Sequence, residues 1–149
     1  MTKGEAMQRL YKQVGALVVT LGLALPSFGA PLGFDELTDG TMVTTQYAGL
    51  TFTNATALTA GVSLNEFEFP PRSGANAVVD DGGALEILFT DPMARVSGYF
   101  NYSFPLTLQV FNAADQLVGT VASLFASNLA ISGDPGSAVN ELLSFSSKT

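Results

Sequence analysis

Hydrophobic and polar side chains alternate with a period of two along most of the chain beyond residue 31. The clearest run covers residues 96–104, and shorter runs cover residues 85–90 and 106–111. Successive side chains of a β-strand point to opposite faces, so each run predicts a strand with one buried and one solvated face. In the longest run the predicted core set is Val96, Gly98, Phe100, Tyr102 and Phe104. Further strands are predicted at 42–47, 50–53, 65–69, 75–79, 116–125 and 141–145.

Turn-forming residues separate the predicted strands. Asp-Gly or Asp-Pro pairs occur at 39–40 and 91–92, and residues 70–74 read Pro-Pro-Arg-Ser-Gly. These residue types favour tight turns because glycine and proline adopt backbone angles that strands avoid. Residues 113–116 fit the loop of a β-hairpin. Many short strands with turns between them predict an all-β fold, an antiparallel β-sandwich or jelly roll.

The first thirty residues have a different character and predict a secretion signal. Lys3, Arg9 and Lys12 precede an uncharged apolar run at residues 14–25, and Pro26 and small residues follow it. This order is typical of a cleavable signal peptide. A helix of that length spans about 18 Å, which is too short for the ~30 Å membrane core. We predict a leader helix within residues 1–29, cleavage after Gly29, and a mature domain at 30–149 with no stable membrane span.

Composition excludes several classes of chemistry. The 149 residues include no cysteine and no histidine. Disulfides, zinc-thiolate sites and thiol catalysis are therefore excluded, and the usual general base is missing. Beyond residue 30, only Arg72, Arg95 and Lys148 oppose twelve acidic residues. A domain this acidic repels phosphate backbones, so nucleic acid is not an expected partner.

Several stretches, taken in order, resemble one family of exported proteins. The chain resembles secreted bacterial β-sandwich proteins, many of which carry a C-terminal PEP-CTERM sorting signal, over roughly residues 33–147. The stretches that carry the resemblance are Phe34-Asp35-Glu36-Leu37, Val43 to Phe52, Asp80 to Gly83, Val96 to Phe100, Pro105 to Asp115, Ser132 to Gly136, and Asn140 to Ser144.

The resemblance implies an exported sandwich at the cell surface or in the exopolysaccharide matrix. Family members usually continue with one or two more strands, a Pro-Glu-Pro motif, an apolar helix and basic residues. This sequence ends at Lys148-Thr149 without them. From that difference we expect a domain that lacks its last strand or strands and the sorting signal.

An acidic cluster is a candidate calcium site. Calcium binds six to eight oxygen ligands, and carboxylates are frequent among them. No EF-hand spacing is present, so the same residues also fit a solvated acidic rim with aspartates in turns, the interpretation we favour. A structural calcium is the one cofactor that the sequence suggests. Its candidate ligands are Asp35, Glu36, Asp39, Asp80 and Asp81.

Tyr99 and Asn101 are candidate carbohydrate contacts. Both belong to the polar set of the 96–104 strand, and aromatic rings can stack on sugar faces. Tyr102 falls on the opposite face, where packing in the core is the better interpretation. The predicted partners are extracellular polysaccharides or cell-surface components.

No catalytic residue is assigned. Glu66 and Glu68 share a face of the predicted 65–69 strand, at a spacing that a glycosidase pair could use. Alternation with Phe67 and Phe69 explains the pattern as one buried and one solvated face. The sequence therefore predicts a non-catalytic exported protein with a structural or adhesive role, secreted or at the cell surface. The alternative is a calcium-stabilised carbohydrate-binding module.

Overall fold

The computed structural model describes residues 17–22 and 31–147. Within these residues all regular structure is β, all strand ladders are antiparallel, and no helix occurs, which confirms the all-β antiparallel prediction. The strands are β1 (Leu17–Gly22), β2 (Thr41–Met42), β3 (Leu50–Thr53), β4 (Ala55–Thr59), β5 (Asn76–Asp80), β6 (Glu86–Phe89), β7 (Arg95–Tyr102), β8 (Thr107–Phe111), β9 (Leu117–Ala122) and β10 (Glu141–Ser146).

The strands form one large sheet and two ladders. The six-stranded sheet has the order β10-β7-β1-β5-β4-β2, while β3 pairs with β6 and β8 pairs with β9. Strand β7 is eight residues long and is paired on both edges, with β10 along one edge and β1 along the other. All three groups of strands contribute side chains to one hydrophobic cluster, so the core joins them.

Alternation in the sequence corresponds to alternation in burial along β6 and β8. Leu85, Ile87 and Phe89 are buried, while Glu86 and Leu88 between them are half-buried. Strand β7 departs from this rule, because Ser97 and Asn101 on its other face are buried as well. Loop residues cover this second face, since Asn101 bonds to the Pro70 carbonyl and the Asn140 amide, so the polar set of a strand is not a reliable guide to solvent.

Two strand predictions are wrong, and one strand was missed. Residues 65–69 form a turn in which the amides of Glu68 and Phe69 both donate to the carbonyl of Asn65. The predicted 42–47 strand is only two residues long as β2. Strand β4 was not predicted, because its buried residues Ala55 and Ala57 are too small to give a strong hydrophobic signal.

The predicted hairpin at residues 113–116 is present between β8 and β9. The Asn112 carboxamide oxygen accepts hydrogen bonds from the amides of Ala114 and Gln116, both at 3.0 Å, and so shapes the turn. Asp115 has φ 56°, a left-handed conformation that aspartate tolerates better than most residues. Phe104, predicted to be buried, is 57% exposed because it lies in the loop after β7.

Part of the predicted leader lies in the large sheet. Residues 17–22, where the sequence predicted a helix, are extended as β1 between β5 and β7. The other residues of the leader, including Gly29 at the predicted cleavage site, lie outside the described residues. Among the residues that are described, no helix is long and apolar enough to cross a membrane.

Candidate functional site

Asp35 fastens the segment before β2 to the start of β5. Its Oδ1 atom accepts hydrogen bonds from the amides of Ala75 at 2.7 Å and Asn76 at 2.9 Å. The Asn76 side chain is buried and donates back to the carbonyls of Phe34 at 2.9 Å and Leu37 at 2.7 Å. Four hydrogen bonds therefore hold these two segments together, and Asp35 is a structural residue in this arrangement.

Gly74 allows Asp35 to approach. Its φ is 62°, which favours glycine, and a Cβ atom there would overlap the Asp35 carboxylate. The glycine of the Pro-Pro-Arg-Ser-Gly turn is thus required twice, once for the backbone angle and once for the contact.

Glu36 lies beside Tyr47. The Tyr47 hydroxyl donates to the Gly33 carbonyl at 3.0 Å, and its ring meets Phe34 edge-on at 5.5 Å. Burial of the Tyr47 hydroxyl raises the pKa of Tyr47 well above the ordinary tyrosine value. A hydrogen bond with Glu36 and the negative charge of the Glu36 carboxylate raise it further. Tyr47 therefore stays neutral and packs at the border of the core.

Asp39 and Asp81 hold other parts of the fold. Asp39 accepts from the Thr59 amide at 2.7 Å and from the Ser63 hydroxyl, and Asp81 accepts from the Thr56 hydroxyl at 3.2 Å. Within residues 17–22 and 31–147, no three acidic side chains lie close enough together to hold a metal ion. Calcium binding by the five predicted residues stays a prediction.

Asn101 points inward, and the prediction that it faces solvent is wrong. It has no exposed surface, donates to the Pro70 carbonyl at 2.9 Å and accepts from the Asn140 amide at 2.5 Å. Tyr99 is half-buried, with the Arg72 guanidinium 4.6 Å from its ring centre, a cation–π contact. A sugar would have to displace Arg72 to stack on this face of the ring.

Asn128 organises a buried polar network that the sequence did not reveal. Its Oδ1 accepts from the Tyr102 amide at 2.7 Å, and its Nδ2 donates to the carbonyls of Phe100 at 2.9 Å and Ala138 at 3.0 Å. The residue has no exposed surface. An asparagine in a long loop is ordinarily a turn former, so nothing in its sequence surroundings marks it as a core residue.

Tyr102 and Glu141 extend this network. The Tyr102 hydroxyl donates to Glu141 Oε2, and Glu141 Oε1 accepts from the Leu124 amide at 3.1 Å. Burial and the Glu141 carboxylate raise the pKa of Tyr102 to about 12. Tyr102 is fully buried, which confirms that it packs in the core.

Glu68 joins two exposed loops. Its carboxylate accepts from the amides of Ile131 at 3.0 Å and Ser132 at 3.2 Å, and its carbonyl accepts from Ala130 at 3.1 Å. Phe67, the residue before it, is 71% exposed and Ile131 is 75% exposed. We call these two side chains on adjoining loops the Phe67–Ile131 patch.

The Phe67–Ile131 patch was not foreseen, because the 65–69 segment was predicted to be a strand with Phe67 buried. Isolated exposed apolar residues are common, but these two lie on loops that hydrogen bonds to Glu68 hold together. The Glu68 carboxylate, considered with Glu66 for glycoside hydrolysis, is bonded to two backbone amides. The patch combines high exposure with hydrogen-bonded loops, which suits a contact surface.

We expect the hydrogen bonds from the Ile131 and Ser132 amides to the Glu68 carboxylate to weaken in acid. The hydrogen bond from the Ile131 amide, with those from Ser132, lowers the pKa of Glu68. A lowered pKa in the folded state means that the stabilisation is complete above the ordinary carboxyl value and is lost as the pH falls through the lower, folded value. The amide chemical shifts of Ile131 and Ser132 should therefore titrate with a midpoint below the ordinary glutamate pKa.

The matched variant is Glu68→Gln, in which both amide shifts should stop following this transition. A midpoint at or above the ordinary glutamate value in the native chain would contradict the hydrogen-bonded role of Glu68.

Comparisons with protein-family models, with curated proteins and with solved structures gave no match to this chain. The resemblance to exported sandwich proteins therefore stays a prediction.

Proposed function

We propose that this chain is a non-catalytic exported protein whose domain has a structural or adhesive role at the cell surface or in the extracellular matrix. Its strands would pack as a β-sandwich, in which the large-sheet strands beyond the leader, β10, β7, β5, β4 and β2, face the two smaller ladders. The observation that carries the adhesive role is the Phe67–Ile131 patch, two exposed apolar side chains on loops that Glu68 holds together.

The N-terminal sequence supports export. Basic residues at 3, 9 and 12, the apolar run at 14–25 and the small residues before position 30 occur in the order of a signal peptide. The acidic composition of the remaining chain favours solubility outside the cell. The resemblance to secreted sandwich proteins points to the same location.

The bonding of the carboxylates supports a non-catalytic role. Asp35, Asp39 and Glu68 each accept hydrogen bonds from backbone amides, and Glu141 accepts from Tyr102 and Leu124. Carboxylates used in this way stabilise loops. A general acid or base needs instead to reach a substrate proton at hydrogen-bond distance.

The Phe67 ring is the group that we expect to contact the partner. An exposed ring with a neighbouring isoleucine can stack on the apolar face of a sugar or on an apolar side chain of a surface protein. We infer that extracellular polysaccharide is the partner, because the domain is acidic and a neutral glycan does not have to overcome its charge.

Binding to polysaccharide tests this role. On an array of neutral polysaccharides, Phe67→Ala should weaken binding by about tenfold, the loss expected for one aromatic contact. Phe104→Ala is the matched control, since Phe104 is also exposed and lies in another loop. Equal losses for the two variants, or no binding by the native chain, would contradict the proposal.

The same array separates the alternative of a calcium-stabilised carbohydrate-binding module. Binding that disappears with a chelator would favour that alternative, whereas binding that persists supports contact through the patch alone. Export is tested separately by the N-terminal sequence of protein recovered outside the producing cell, which should begin at Ala30.

A further inference from the structure

Strand β1 lies between β5 and β7 in the large sheet, so one edge of β5 and one edge of β7 face each other across β1. On β7, the carbonyl of Phe100 accepts from Asn128, on the side where β10 pairs. Backbone groups of successive residues point to opposite edges of a strand, so those of Tyr99 and Asn101 point away from β10. They point toward β1, which pairs with both residues.

The edge of β5 is oriented in the complementary way. The Ala75 carbonyl accepts from the Ala60 amide, on the side where β4 pairs, so the backbone groups of Val78 point away from β4. Val78 is paired with Val19 of β1. The groove between β5 and β7 is therefore one strand wide, with backbone donors and acceptors on both walls.

The strands on both sides of β1 also carry buried apolar side chains. Val78 and Phe100, one from each wall, are fully buried or nearly so. The occupying segment, Leu-Val-Val-Thr-Leu-Gly, carries no charge and pairs with β7 over all six of its residues, from Leu17 opposite Tyr102 to Gly22 opposite Ser97. Its pairing with both neighbours shows what kind of ligand the groove accepts.

We propose that the β5–β7 groove is a strand-acceptor site that binds an extended, uncharged apolar segment of another polypeptide once the leader has been removed. This rests on the proposed export in one respect, namely that cleavage takes away residues 17–22. The incoming segment runs antiparallel to both walls, as β1 does. Backbone hydrogen bonds supply affinity in this mode of recognition, and the side-chain pockets supply specificity.

The first test asks whether the groove holds β1 in the full chain. The protein has no cysteine, so introduced pairs are the only thiols. Thr20→Cys with Tyr99→Cys places two thiols at opposed positions and should form an intramolecular disulfide on mild oxidation. Leu21→Cys with Tyr99→Cys is the control, because neighbouring residues of a strand point to opposite faces. Equal oxidation of both pairs, or of neither, would overturn the proposal.

The second test asks whether the groove accepts a strand in trans. Val19→Pro in the full chain should vacate the groove, because Val19 pairs with both walls and proline cannot complete the ladder. The probe is a synthetic peptide of residues 15–24 with flanking lysines and cysteine at position 20, offered to chains that carry Tyr99→Cys.

The peptide should crosslink to the Val19→Pro chain, and the crosslink should be lost when Val19 is retained. Far-UV circular dichroism establishes that the Val19→Pro chain keeps its strands. Crosslinking to neither chain would mean that β5 closes on β7, and equal crosslinking would mean adhesion elsewhere, so either result overturns the site. Neither result bears on export, which the N-terminal sequence decides independently.

Discussion

Phe34→Ala is expected to lower the free energy of unfolding by about 3–5 kcal/mol, the range for truncating a buried phenylalanine. Phe34 is 1% exposed and lies edge-on to Tyr47 at 5.5 Å and to Phe52 at 6.2 Å. The change would remove both ring contacts and leave a cavity that neighbouring side chains cannot fill completely. It would also loosen the adjacent Asp35, which fastens this segment to β5.

Urea unfolding followed by far-UV circular dichroism measures this effect. Phe104→Ala is the matched control, because the same truncation at a 57% exposed position should cost less than about 0.5 kcal/mol. Similar losses for the two variants would mean that Phe34 does not belong to the core that the structure describes.

Asn128→Leu is the second change with a large expected effect, a loss of about 3–5 kcal/mol. Leucine is similar in size but leaves the Tyr102 amide and the carbonyls of Phe100 and Ala138 without their partner. Each buried group left unbonded costs about 1–3 kcal/mol. Strand β7 and the long loop before β10 should separate first, so the amide of Tyr102 should lose protection from hydrogen exchange.

Asn112→Leu provides the comparison for this experiment. The Asn112 side chain also makes three hydrogen bonds, to Ala114 and twice to Gln116, but at an exposed turn. Water can replace those bonds, so the expected cost is about 1 kcal/mol. If the two leucine variants unfold at the same urea concentration, burial of Asn128 does not explain its contribution to stability.

The strands with large alternating side chains could be predicted from the sequence. In β6 and β8 the buried residues, such as Ile87 and Leu108, occupy the positions that the period of two assigns to the core. The hairpin turn at Asn112–Gln116 could be predicted as well, because residues that form turns do so through their own short side chains. These are local signals, which is why the sequence carries them.

The errors occur where tertiary contacts override a local pattern. The Glu-Phe-Glu-Phe run at 66–69 alternates like a strand, yet the Asn65 carbonyl and the tie from Glu68 to Ile131 hold it as a turn. Asn101 belongs to a polar set but is buried, because Pro70 and Asn140 satisfy its amide. In both cases the partner that decides the outcome is distant in the chain.

The candidate site was the least predictable part. Asp35 was identified as a carboxylate of interest, but its bonds to Ala75 and Asn76 depend on a contact across forty residues. The Phe67–Ile131 patch follows from a turn that the sequence pattern disguised. Predicting the Asp35 bonds or the patch would have required knowing which loops lie together, and the periodicity of a sequence does not contain that information.

The position of β10 has a consequence for how the chain reaches its native state. Strand β7 ends at Tyr102, while the strand that pairs along one of its edges begins only at Glu141. During synthesis the ribosome must therefore produce a long intervening segment before that edge can be covered, and such distant pairings form slowly. Delayed closure postpones completion of the fold, and a narrow translocation channel threads chains that have not yet folded, as the export that we propose requires.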